Sequence, residues 1–362
     1  MVRFEIPQVR GDEMTGTTKG AEIAVHLTPI VRRTYGEHAQ VRDVGVMEDG
    51  HAGLTFGFEV ASPEGATLGR YILKLGPAGV PRRGSTDVYR QAGLLRALHA
   101  AGLPVPRIAW ASAEERPLGA PFIVMERLPG RVFVIWEPHA SFDLDTANVR
   151  SLWFQAIRAL GAFHALDWTR TLKDWETPYT LDSELMRWNK LLRHAPEPQW
   201  LEAGQRLHAA LVAQKPGEAP IGLVHGDYQP GNVLYDNGQM HGVIDWDLAG
   251  IGAQGIDVGW LMMMIDSSSW AEGWKPIAPI TRDEVLGTYR AAGGTAFSDL
   301  EWFQAFAQFR LGAIACLNVK LNRDGRRPDL LWERFAPSIS TLFARAEALL
   351  AARASRPAGT SS

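Results

Sequence analysis

The sequence has almost no cysteine, no long apolar run and no excess of either charge, and each absence removes a class of protein. Cys316 is the only cysteine in 362 residues, so no internal disulfide can form and a reducing, cytoplasmic setting is expected. It lies at helical spacing among Leu311, Ile314 and Leu317, which reads as a buried, inert thiol. The longest apolar runs, such as "VGWLMMMI", fall far short of a membrane span, and "MVRFEIPQVRGDEM" lacks the apolar core of a signal peptide. The 37 Lys and Arg against 40 Asp and Glu leave a formal charge of -3 with no block of one sign, which argues against a nucleic-acid groove or a membrane-binding face. What is present is a 46% hydrophobic chain, long enough for a sizeable core and more naturally read as two lobes than as one.

Periodicity supports that division. After a helix near Ala21 to Val31, "LTFGFEVASPEGATLGRYILKLG" alternates apolar and polar residues around Pro63-Glu64-Gly65, the pattern of a β-hairpin. "STDVYRQAGLLRALHAAG" has helical spacing with Gly102 as its stop, and short strands follow near Arg107 to Ala111 and Pro121 to Met125. The expected fold is α+β with a small β-rich lobe over 1–125, a crossing at 126–130, a mainly helical lobe over 131–353 and a flexible tail over 354–362. Twelve of the thirteen tryptophans lie from Trp136 onward, most of them expected in helical core.

Inside the helical lobe, "HGDYQPGNVLYDNGQMHGVIDWD" interrupts the helices and sets Asp227, Asn232, Asp245 and Asp247 among apolar residues. Asn237-Gly238 demands positive φ at both positions of a type I′ turn, so the chain folds back and returns Asp245 towards Asp227 and Asn232. Carboxylates brought close repel unless a cation or a proton lies between them. Oxygen ligands of this kind suit Mg²⁺, which takes its remaining ligands from water and substrate phosphates. His225 reads as a loop brace, His241 as a solvent-facing strand residue, and Asp247 as a residue that binds a metal-bound water or a substrate group, or as a solvated acid. A metal-dependent phosphoester hydrolase built on His225, Asp227, His241 and Asp245 is the alternative enzyme class. A nucleotide-binding regulator with little activity is a third reading.

His225, Asp227 and Asn232 keep the intervals of the kinase catalytic loop, and "IDW" stands where its metal-binding D-F-G would. With Gly226 in place of arginine, "HGDYQPGN" and "IDWDLAG" together resemble the aminoglycoside phosphotransferase and choline-kinase-like family, over about Val44 to Trp260. The resemblance implies a protein-kinase-like fold and transfer of the γ-phosphoryl of ATP or GTP to a small-molecule hydroxyl. It implies that Asp227 positions the acceptor, that Asn232 and Asp245 hold Mg²⁺, and that Lys74 in "YILKLG" steadies the phosphates. Met125, Glu126 and Arg127 would take the base, Gly50 would belong to a phosphate-covering loop, and Asp257 would brace the catalytic loop. The family's pattern pairs the lysine with a helix glutamate, but Gln91 stands there, so the partner is either Gln91 itself or Asp87, one turn earlier, which otherwise reads as a helix-start acid. From residue 251 onward eleven acids face twelve bases, so this lobe has no acid surplus to collect a polycationic aminoglycoside.

Overall fold

The computed structural model describes residues 16–47, 55–77 and 81–355. The expected loop at Gly50 and the tail from residue 356 lie outside them. The fold is α+β, and the chain separates into two compact units, the first boundary falling between Gly130 and Arg131.

The first unit begins with α1 (Gly16–Tyr35), followed by β1 (Gln40–Val46), β2 (Thr55–Ala61), β3 (Thr67–Leu75), α2 (Arg90–Ala100), β4 (Ile108–Ser112) and β5 (Phe122–Glu126). Its five strands pair antiparallel in the order β1-β2-β3-β5-β4. Strand alternation explains its core: Tyr71 and Leu73 on β3 join Phe56, Phe58 and Val60 on β2 beneath Leu27 and Val31 of α1. Ile72 and Lys74 therefore take the opposite face. Two features exceed the expectation. Helix α1 is longer than Ala21 to Val31, and β1 carries a bulge between Arg42 and Gly45 that obscures its alternation.

The second unit holds β6 (Arg131–Val132), α3 (Thr146–His164), α4 (Trp168–Thr171), α5 (Leu181–Leu192), α6 (Pro198–Ala213), β7 (Ile221–Val224), β8 (Val233–Asp236) and the start of β9 (Gln239–Val243). It continues with β10 (Gly250–Ala253), α7 (Gly255–Ile265), α8 (Arg282–Ala291), α9 (Leu300–Arg323), α10 (Leu330–Phe335) and α11 (Pro337–Ala354). Helix α9 is its axis, buried almost along its length and packed most extensively on α11 and α7. Cys316 is fully buried there, and burial pushes its thiol up to about 12.

The lobe read as contiguous over 131–353 loses a segment, because His241–Leu248 groups with the sheet unit. Val243 donates its N–H to Pro104 O at 2.8 Å, and Leu128 packs against Gly242 too closely for a larger residue there.

Helices α7 and α9 approach through glycine. A Cβ at Gly259 would stand 2.4 Å from the carbonyl carbon and oxygen of Phe303, backbone atoms that cannot rotate aside. Gly259→Ala should therefore destabilise the protein by about 1–3 kcal/mol through overpacking, against the roughly 1 kcal/mol that alanine ordinarily adds to a helix. A urea midpoint at or above the parent's would contradict this packing.

Candidate active site

Strand β7 ends at Val224, tied to β10 through the Val224–Gly250 pair, and the next residue is His225. The turn that follows is shaped by Asp257, from the first turn of α7. This fully buried carboxylate accepts the His225 N–H at 2.7 Å, the Gly226 N–H at 2.8 Å and a contact from His164 Nε2 at 3.2 Å. Presenting two consecutive N–H groups to one carboxylate requires φ of +87° at Gly226, a conformation that explains glycine where protein kinases have arginine. Burial alone would raise the Asp257 carboxyl. The His164 contact, the nearby His225 and the His225 N–H outweigh it and hold the group below the ordinary carboxylate range.

His225 then works inward. Its Nδ1 accepts the Asp227 N–H at 3.2 Å, which makes it a loop brace. Asp227, only 2% exposed, takes Gln229 Nε2 on Oδ1 at 2.9 Å and Asn232 Nδ2 on Oδ2 at 3.2 Å. Asn232 Nδ2 also reaches the Asp227 carbonyl at 2.7 Å, while its Oδ1 is buried with no hydrogen-bond partner. A fully buried amide oxygen left unspent is costly in a folded chain, and a hard cation is a partner that would satisfy it. Nearby on α9, buried Arg310 lies between the Trp188 and Trp260 rings, 4.4 and 5.0 Å from their centroids. Burial depresses its guanidinium, and the charges of Glu184 and Asp227 oppose that shift. Gln229 lies within "HGDYQPGN" but was given no role there, and Arg310 belongs to none of the motifs.

In the first unit, Lys74 Nζ donates to Asp247 Oδ1 at 2.6 Å, with 17% of the lysine side chain exposed. Burial pulls the ammonium down, yet Asp247 and Asp245 together raise it. Gln91 Nε2 donates to the same Asp247 Oδ1, and Arg90 Nη2 reaches the Asp247 carbonyl at 2.9 Å. This corrects the expectation for Asp87. That carboxylate is bound to Arg82 at 3.1 Å and is not the partner of Lys74. Asp247 is likewise an ion-paired residue, where a ligand to a metal-bound water or a substrate group, or a solvated acid, was expected. Asp245 adopts φ of +66°, rare for a residue with a side chain, and the turn after it is tied by the Trp246 indole N–H to Val243 O at 3.0 Å.

Two further expectations meet the structure directly. Asn237 and Gly238 have φ of +49° and +74°, as a type I′ turn requires. Met125 and Glu126 close β5, but the Glu126 and Arg127 N–H groups are already given to Arg107 O and Arg70 O, both at 2.9 Å. A base lying there would not receive a hydrogen bond from either. His241 is exposed, and among the described residues no three His, Cys, Asp or Glu side chains gather as a metal site. No helix among them is long and apolar enough to cross a membrane.

The phosphotransferase enzyme family model matches residues 57–306. A probable acyl-CoA dehydrogenase of Arabidopsis thaliana is 27% identical over 290 residues, covering 73% of this chain and 34% of that protein, so the chain spans about a third of its length. An aminoglycoside 3'-phosphotransferase of Streptomyces fradiae is 26% identical over 202 residues, 52% of this chain and 70% of that one. Among solved structures, one described as a putative aminoglycoside phosphotransferase from Ralstonia eutropha superposes with a TM-score of 0.69 at 20% identity, covering 90% of this chain and 98% of the other.

Proposed function

Because the chain belongs to the phosphotransferase enzyme family, we propose that it transfers the γ-phosphoryl group of ATP or GTP to a hydroxyl of a small molecule. The observation that carries this reading is the Asp227 carboxylate, buried yet held by two side-chain amides, on a loop whose backbone is pinned from beneath by Asp257. Phosphoryl transfer asks a protein mainly for positioning and charge neutralisation. Asp227 orients the acceptor hydroxyl and takes its proton late in the transfer. Gln229 and Asn232 keep its two oxygens in place. Lys74 steadies the α- and β-phosphates, and the base lies along Met125, Glu126 and Arg127.

Mg²⁺ fits the donor set. The unspent Asn232 Oδ1 and the Asp245 carboxylate are the ligands we assign to it, both hard oxygens. When bound, the ion neutralises phosphate charge. Asp245→Asn should weaken binding of the Mg²⁺ nucleotide about tenfold or more while leaving metal-free nucleotide binding nearly unchanged. Equal loss with and without the ion would remove Asp245 from the ligand set.

A coupled ADP-release screen with Mg²⁺ and ATP or GTP, over antibiotics, amino alcohols, sugars and nucleosides, tests the reaction. Strict dependence on nucleotide and on an acceptor hydroxyl is expected, with polycationic aminoglycosides poorer acceptors than neutral or singly charged compounds. Hydrolysis of a phosphate ester without nucleotide would overturn the reading in favour of the hydrolase. Nucleotide binding with no turnover on any acceptor would favour the regulator.

A further inference from the structure

The neutral residue at position 91 has a consequence for how the phosphate-binding lysine is held. Gln91 is 2% exposed, and its amide nitrogen donates to the Asp247 oxygen that also accepts Lys74. An amide can donate to a carboxylate. A glutamate at the same place could not, and would instead set two acids around one ammonium. Arg90, the neighbouring residue on α2, fixes the Asp247 backbone from the same side through its carbonyl. Helix α2 therefore grips the acid, and the acid grips the lysine.

We propose that Asp247 is the counter-ion that positions Lys74 for the nucleotide phosphates, and that Gln91 is neutral because it orients Asp247 instead of pairing with the lysine. This rests on the phosphotransferase reading for its function, though not for its geometry. Asp247 follows Asp245 by two residues, on the short turn formed by Trp246–Leu248. The acid that aims the lysine and the acid assigned to the metal are thus carried by one segment, and a displacement of that segment moves both.

The arrangement predicts sign-reversing coupling between positions 91 and 247. Gln91→Glu alone should lower the melting temperature of the nucleotide-free protein and reduce kcat/KM for ATP about tenfold, because like charges within hydrogen-bond reach repel. Asp247→Asn alone should also lower both, since it leaves a largely buried ammonium without its carboxylate. The double variant restores one carboxylate beside Lys74 and one amide to orient it, so it should melt above either single variant and recover kcat/KM to within about threefold of the parent. A Gln91→Glu variant that is more stable or more active than the parent would overturn the proposal, and so would a double variant no better than the worse single one. Recovery of melting temperature without recovery of ATP turnover would also overturn it, by reducing the contact to a structural one. The melting series needs neither acceptor nor nucleotide. If the parent turns over no acceptor, the phosphotransferase reading fails by itself, and ATP affinity measured by titration across the same four proteins replaces kcat/KM.

Discussion

Asp227→Asn lowers kcat for phosphoryl transfer by about 10²–10⁴-fold, the range set by loss of a positioned proton acceptor, and leaves nucleotide affinity within about twofold of the parent. The substitution keeps the shape of the side chain and removes its charge. It also turns one oxygen into a donor, facing either Gln229 Nε2 or Asn232 Nδ2, both of which already donate to Asp227. The amide can satisfy only one of them, so the acceptor hydroxyl loses both its proton acceptor and a fixed point of orientation. Single-turnover transfer and nucleotide titration on the same preparation separate the two quantities. Turnover within tenfold of the parent would remove Asp227 from the reaction.

The second large effect is on stability. Asp257→Ala should cost about 3–5 kcal/mol, because it leaves the His225 and Gly226 N–H groups and His164 Nε2 facing a void in the core. In a chain of this size that is a fall in Tm on the order of 10 °C, and the loop bearing Asp227 loses its anchor. A pH series identifies the cause. The Asp257 carboxyl is held below its ordinary range, so its folded-state pKa lies below the unfolded one. The stability it contributes is then fully present above the unfolded value of about 4 and is lost as pH falls through the folded one. The gap between parent and Asp257→Asn should be widest near neutrality and should narrow below about pH 4. A gap that is constant across the series would mean that the charge of Asp257 contributes nothing.

The fold class was readable because two kinds of signal agreed, the alternation around Pro63 to Gly65 and the helical periodicity after residue 150. Helix α7 shows where that method stops. Ten of its eleven residues are buried, so no polar face exists to reveal a period, and "VGWLMMMI" displays only apolarity. Site residues divide the same way. Asp227, Asn232 and Asp245 were nominated by their fixed intervals, whereas the partner of Lys74 is 173 residues away in the chain. Helical register nominated Asp87 on proximity alone, and Arg82, five residues from it, takes that carboxylate. Gln91 was visible as an anomaly, although a sequence cannot say which group an amide faces.

The contact between Gly259 and Phe303 reaches further than packing. Asp257 stands two residues from Gly259 on the same helix, so the closeness of α7 to α9 also sets how deeply Asp257 reaches beneath His225 and Gly226. Thickening that helical seam by one methyl group would withdraw the carboxylate by a fraction of an ångström and slacken the turn above it. Random mutagenesis scored by turnover should accordingly recover inactivating substitutions along the α7–α9 seam, at positions that meet neither nucleotide nor acceptor.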